Sequence, residues 1–361
     1  MMKTKKPAPI EGAQDDLVVP TLGATGAGKS TVSVAPQDAK NGLGLGDAKN
    51  DTIFRDAQET DIVIPIMGPP GAGKSSFINS LLRHLGSPRH VKVGENLSST
   101  SCTREVESII IEGQTNHWKR IKDHRVVLVD TPGFGDTQSE DFEVLQRIAR
   151  GLEQSYRKKM VLGGVIYMHD ISQDQFVGID RRNLEMFNHL CGDSALDKVV
   201  LVTSKWGRAS QQDFDKREGE LKGKQWKTMI DGGARVERLV AGEEQASAWG
   251  IVRSILDRVE TREIQQTKSE GLQIQRELVN RQKYLPQTHA ARELRAQLEQ
   301  MIEAQTRMLV LEADAAAGNE EAKAQLLEKE AKLKQLVQQV DNLKVSPLKR
   351  LARWTRLTME G

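Results

Sequence analysis

Across residues 61–263 the chain alternates two patterns of apolar and polar positions. Apolar runs of roughly strand length occupy 61–67, 106–111, 125–129, 161–168, 198–203 and 236–240. Between them, at 74–85, 142–159, 179–191, 211–230 and 245–263, apolar residues return every three or four positions, the period of a helix lying on a sheet. This alternation predicts an α/β fold whose mostly parallel sheet is covered on both faces. One pair departs from it. GQTNHWKRIKDH joins 106–111 to 125–129 with no room for a crossover helix, so these two strands should form an antiparallel hairpin.

From about residue 265 the pattern becomes one of long polar helices. Leu294, Leu298, Met301 and Met308 form one apolar stripe, and Leu326, Leu333, Leu336, Val340 and Leu343 form another, with Gly318-Asn319 between them. Each stripe is short, which favours a helical hairpin turning at Gly318-Asn319 over two intermolecular coiled coils. The segment 346–361 (SPLKRLARWTRLTMEG) spaces Leu348, Leu351, Trp354 and Leu357 among Lys349, Arg350, Arg353 and Arg356. Such a basic amphipathic pattern suits either an anionic membrane surface, at about 1 kcal/mol per basic residue, or docking on the chain's own helices. Residues 1–57 are rich in Gly, Ala, Asp, Lys and Pro without sustained period and read as mostly disordered. The expected organisation is therefore a polar segment at 1–57, an α/β domain at 58–264 and a helical extension at 265–361.

Composition agrees with that division, because 28% charged and only 4% aromatic residues suit a packed domain with a polar extension better than one large core. A net charge of +2 gives no bulk attraction to nucleic acid, and no nucleic-acid partner is expected. Cys102 and Cys191 lack any CxxC spacing and read as free thiols in a reducing compartment. With neither a leader-like apolar run nor some eighteen apolar residues in succession, the expectation is a cytoplasmic protein, at most peripheral at a membrane.

Two stretches fit GxxxxGK[ST], at 23–30 and 68–75. A phosphate-binding loop needs a strand before it and a helix after it to aim backbone amides at the ligand. Only the second has both; the first runs into Pro36 and NGLGLGD and reads as a partial repeat. In the second, Gly68, Gly71 and Gly73 let the backbone wrap phosphate, and the helix that opens with Lys74, Ser75 and Ser76 adds its positive end. Lys74 should reach the β- and γ-phosphates, and the Ser75 hydroxyl should sit on Mg²⁺. Downstream, VVLVDTPGFGDT brings Asp130 to a strand end, where it can hold the metal through water, and lets Gly133 offer its amide to the γ-phosphate.

With these residues in place, DIVIPIMGPPGAGKSSFINSL and VVLVDTPGFGDT resemble the TRAFAC-class GTPases. Within that class they look like the immunity-associated (avrRpt2-induced) GTPases, near relatives of septins and chloroplast outer-envelope Toc receptors. SCTREV, GGVIYMH, LVTSKWG and ASAWGIV are similar to a group of fungal G-domain proteins, and the likeness covers about residues 60–300. The resemblance implies a three-layer P-loop NTPase G domain that binds GTP or GDP with Mg²⁺ and whose loops order around the γ-phosphate. It also implies an Mg²⁺-ligating switch threonine in SSTSCTRE, at Thr103 or alternatively Thr100.

Two departures from the family pattern matter. GTPases normally read guanine with Asn/Thr-Lys-x-Asp, whereas this chain has Thr203-Ser204-Lys205-Trp206-Gly207. Lys205 can lie along the base, Trp206 can stack or pack, and no aspartate follows; the loop Ala241-Gly242-Glu243 is available for the rest of the pocket. Phe134 occupies the place of a water-positioning glutamine, so hydrolysis should be slow unless a partner or a second copy of the domain adds a group. His169 and Asp170, at a strand end, read as either contributors or structural residues. The resulting expectation is a slowly hydrolysing, GTP-binding regulatory switch that forms homodimers through its nucleotide face or meets partners. The alternatives are a P-loop ATPase or small-molecule kinase, and a nucleotide-binding scaffold without turnover.

Overall fold

The computed structural model describes residues 53, 54, 56–93, 106–135, 140–173, 175–208, 211–262, 270–315 and 320–344. The motif at 23–30, Thr100, Cys102, Thr103, the Gly318-Asn319 turn and the basic segment 346–361 lie outside them. One sheet is formed by β1 (Ile62–Met67), β2 (Glu107–Ile111), β3 (Val126–Asp130), β4 (Val161–Leu162), β5 (Val165–Asp170), β6 (Val199–Ser204) and β7 (Arg235–Arg238). Its order is β2-β3-β1-β5-β6-β7, with β4 also on β1. All pairings are parallel except β2 with β3, the antiparallel hairpin that the short connection requires.

Helices α1 (Lys74–His84), α2 (Asp141–Arg157), α3 (Gly178–Cys191), α4 (Gln211–Glu220), α5 (Lys227–Asp231) and α6 (Glu244–Thr261) accompany the sheet. Strand pleating sorts the side chains of β1 between two cores. Ile62, Ile64 and Ile66 join Phe77 and Leu81 of α1 and Ile251 and Ile255 of α6 on one face. Val63 and Met67 join Leu145 and Ile148 of α2 and Phe187 and Leu190 of α3 on the other. The result is a three-layer α/β fold, in which each of these buried side chains contributes about 1.5–3 kcal/mol.

The chain departs from the periodicity in two places. The apolar run at 161–168 is two strands, and Pro65 explains the position of the break. β1 pairs with β4 through Ile62 and Val63 and with β5 through Ile66 and Met67. Pro65, which has no N–H to give a ladder, falls in the gap. The helical pattern at 211–230 is likewise interrupted by a π-turn at Leu221–Gln225, whose extra residue per turn rotates Trp226 into full burial.

Beyond a short helix, α7 (Gln273–Gln275), the described residues of the extension include two long helices, α8 (His289–Ala315) and α9 (Glu320–Asn342). They pack along one another, with Lys329 reaching Glu312 at 2.5 Å. Leu294 and Leu298 of α8, Leu336 and Val340 of α9 and the adjoining Leu343 bury against the α2 and α3 face of the domain. Met308, assigned from the sequence to the first stripe, is instead exposed with Leu311 and Leu327. No helix among the described residues is long and apolar enough to cross a membrane.

Candidate functional site

The parallel strands end together, and the sequence-predicted residues gather at those ends. Ile66 of β1 is in register with Asp130 of β3, so the loop leaving β1 and the carboxylate ending β3 are neighbours by construction. Ser75, in the first turn of α1, donates its hydroxyl to Asp130 Oδ2 at 2.6 Å. Lys74 is buried, and its Nζ donates to the carbonyls of Gly68 and Pro69 at 2.9 and 3.0 Å, which lays the ammonium across the loop. Gly71 and Ser76 are exposed, and Gly73 takes a left-handed conformation as the residue preceding α1.

Two positions tolerate only glycine. Gly68 has φ 139°, and a Cβ there would lie 2.2 Å from the Met168 carbonyl oxygen. A Cβ on Gly133 would lie 2.6 Å from Pro70 N and 2.8 Å from the Gly68 carbonyl oxygen. Gly133 thus sits directly against the phosphate loop. The next residue, Phe134, is buried in the α2 and α3 core, and its backbone is clasped by Asn183 of α3. The Phe134 N–H donates to Asn183 Oδ1 at 3.1 Å, and Asn183 Nδ2 donates back to the Phe134 carbonyl at 2.7 Å.

At the end of β6, Lys205 adopts φ 65°, an uncommon conformation for a side chain of this kind. Its Nζ pairs with Asp170 Oδ2 at 2.5 Å, while Asp170 Oδ1 accepts from Ser172 N and Oγ. Of the two readings open for Trp206, the geometry is that of packing. The indole is 5% exposed, lies 4.1 Å under the Arg238 guanidinium, meets Phe214 edge-on and donates to Thr203. Arg238 is in turn gripped by the buried Glu218 carboxylate through Nε and Nη2, at 2.9 and 2.5 Å. Gly207 is exposed beside the following loop: a Cβ on it would approach Ala241 Cβ to 3.1 Å.

His169 lies under Phe176 and Trp226, with Nδ1 3.7 Å from Asp180 Oδ1. Burial lowers its pKa to about 4 against the upward pull of Asp170, so the ring is neutral and buried at neutral pH. That is a structural environment. Asp170, by contrast, earns a place in the site through Lys205.

Sequence reasoning missed three contributors. Ser204, within the quoted TSKWG run, donates to the Ala72 carbonyl at 2.8 Å and so ties β6 to the phosphate loop. Thr131 donates to the Ile66 carbonyl at 2.8 Å, fixing the turn after Asp130. Asn183 carries no local signal, since only the folded chain brings α3 to Phe134.

Residues 63–205 match the model of the 50S ribosome-binding GTPase family. Among solved structures, Toc33 from Arabidopsis thaliana in complex with Mg²⁺ and GMPPNP is 16% identical at a TM-score of 0.41, over 57% of this chain and 86% of that one. The elongation factor SelB from Methanococcus maripaludis is 12% identical at a TM-score of 0.34, over 56% of this chain and 35% of that one. No curated protein matches. The family match spans both the phosphate loop and the Asp130 turn whose contact the geometry displays, and the chain carries a P-loop GTPase G domain.

Proposed function

We propose that this chain is a GTP-binding regulatory switch of slow, Mg²⁺-dependent hydrolysis, accelerated by a second copy of itself or by a partner. The observation that carries the reading is the contact of Ser75 with Asp130 beside Lys74, at the common end of β1 and β3. A hydroxyl and a carboxylate side by side are hard oxygen donors of the kind Mg²⁺ prefers. Ser75 and Asp130 would hold that ion, with Thr103 as the switch ligand. When bound, Mg²⁺ neutralises charge on the β- and γ-phosphate oxygens. Lys74 would neutralise the same charge, and the Gly133 amide would meet the γ-phosphate.

Lys205, fixed by Asp170, would lie along the base. In place of the absent aspartate, the loop Ala241-Gly242-Glu243, whose Ala241 lies against Gly207, would supply the rest of the base pocket. The motif likeness to the immunity-associated GTPases supports the regulatory role, and the basic segment at 346–361 is a candidate membrane or protein contact in a cytoplasmic setting.

The test is nucleotide binding by the purified full chain with Mg²⁺. GTP and GDP should bind, and Lys74→Ala and Asp130→Ala should each weaken binding at least about tenfold, the scale of a lost charge-assisted contact. Unchanged binding in both variants would end the proposal. Gly207 favours a second reading, an adenine nucleotide site; excess ATP displacing labelled GTP would establish it.

A further inference from the structure

The loop 133–135 that follows β3, here called the switch loop, has two hydrogen-bonded anchors, one on each helix that carries the C-terminal hairpin. Asn183 of α3 clasps the backbone of Phe134 from both sides and donates a further bond to the Ile179 carbonyl at 3.0 Å. Asp141, the first residue of α2, accepts from the Gly135 N–H at 2.6 Å. The adjacent residue, Phe142, donates its N–H to Gln339 Oε1 of α9 at 3.4 Å. Consecutive residues of α2 therefore hold the switch loop on one side and the hairpin on the other.

The same connection runs through α3. Gln297 of α8 donates to Glu185 at 3.4 Å, and Glu293 lies 3.3 Å from His189. Phe134 belongs to one continuous apolar cluster with Phe142, Leu184 and Phe187 of α2 and α3 and with Leu298, Leu336 and Val340 of the hairpin. A close-packed cluster of this kind does not deform continuously, and a shift at one edge is transmitted or the contact is lost. Gly133 meets Pro70 and Gly68 at the opposite edge of the loop, so any ligand that draws the Gly133 amide toward itself pulls on Phe134 and Gly135 together.

We propose that the α8–α9 hairpin is the output element of the nucleotide site. Its seat on α2 and α3 is tight with diphosphate and loosened with triphosphate, through the clasp of Asn183 and the first turn of α2. This inference rests on the proposed function, because it takes a γ-phosphate as the ligand that moves Gly133. By linkage the effect is reciprocal: whatever loosens the hairpin must favour triphosphate over diphosphate by the same factor.

The experiment uses the full chain with GDP and with a non-hydrolysable GTP analogue, both with Mg²⁺. Backbone hydrogen exchange over 330–342 should be at least about 5-fold faster with the analogue, a typical coupling between sites. Leu336→Ala and Asn183→Ala should each raise the ratio of GDP to analogue dissociation constants by a similar factor, and the double variant should fall short of the product. Exchange independent of the nucleotide, with unchanged ratios, overturns the coupling while leaving the switch reading intact. Failure of the unmodified chain to bind either nucleotide overturns both. The exchange measurement on the unmodified chain decides the matter even if a variant does not fold.

Discussion

At the residue scale, environment sets chemistry, and His169 shows it most directly. An exposed imidazole titrates near 6.5, whereas burial brings this one to about 4. As pH falls the unfolded chain takes up the proton first, so the stability contribution is complete above about 6.5 and is lost down to about 4, on the order of 3 kcal/mol in all. Asp180 faces the ring, and burial raises its pKa. Because that pKa is raised, the folded state binds this proton ahead of the unfolded chain, which opposes the loss from His169. Urea unfolding at pH 7, 5.5 and 4.5 should give a clearly shallower pH slope in His169→Gln than in the unmodified chain; equal slopes would rule out the buried neutral ring. The phosphate-loop glycines, Lys74, Ser75 and Asp130 were legible beforehand because their spacing is itself the chemistry. Asn183 and Ser204 were not, because their partners lie 49 and 132 residues away.

At the element scale, apolar periodicity located the strands and helices, and connection length alone identified the β2–β3 hairpin. The misreadings have local causes. Pro65 breaks the pairing of β1 with its neighbour, the π-turn at Leu221–Gln225 interrupts a long helical pattern, and Met308 lies on the exposed part of α8. Several elements meet at Glu218, a buried carboxylate on α4 that receives Arg238 of β7, Lys222 and Thr203 of β6. Burial alone would raise its pKa, but hydrogen bonds from Arg238 and Lys222 outweigh it and hold the group ionised. Glu218→Ala would remove the buried carboxylate beneath Arg238 and leave that guanidinium only its exposed pairing with Asp215 at 2.9 Å, at a cost of about 2 kcal/mol for the lost charge-assisted hydrogen bonds. A lowered melting temperature together with weaker nucleotide affinity is the expected result, measured by calorimetry and titration. Affinity unchanged in a destabilised variant would separate this network from the base pocket.

At the scale of the whole molecule, the placement of Phe134 constrains the turnover that the proposed function calls for. Its ring is in the core and both of its backbone groups are held by Asn183, so this position has no polar side chain with which to orient water. Restoring a polar residue there should not help: Phe134→Gln places an amide among Phe187, Leu184 and Ile148, and loss of apolar burial should destabilise the chain by about 3 kcal/mol without raising its rate. The isolated chain should hydrolyse GTP at about 10⁻³ s⁻¹ or slower, the range of a GTPase lacking its activating group. If that group comes from a second copy, specific activity should climb with protein concentration and saturate as dimers fill, whereas an externally supplied group leaves it flat. Phosphate release measured across a thousandfold dilution series distinguishes these cases. A fast rate independent of concentration would mean that this chain completes its own active site, and would move the search for the catalytic group to the segment around Thr103.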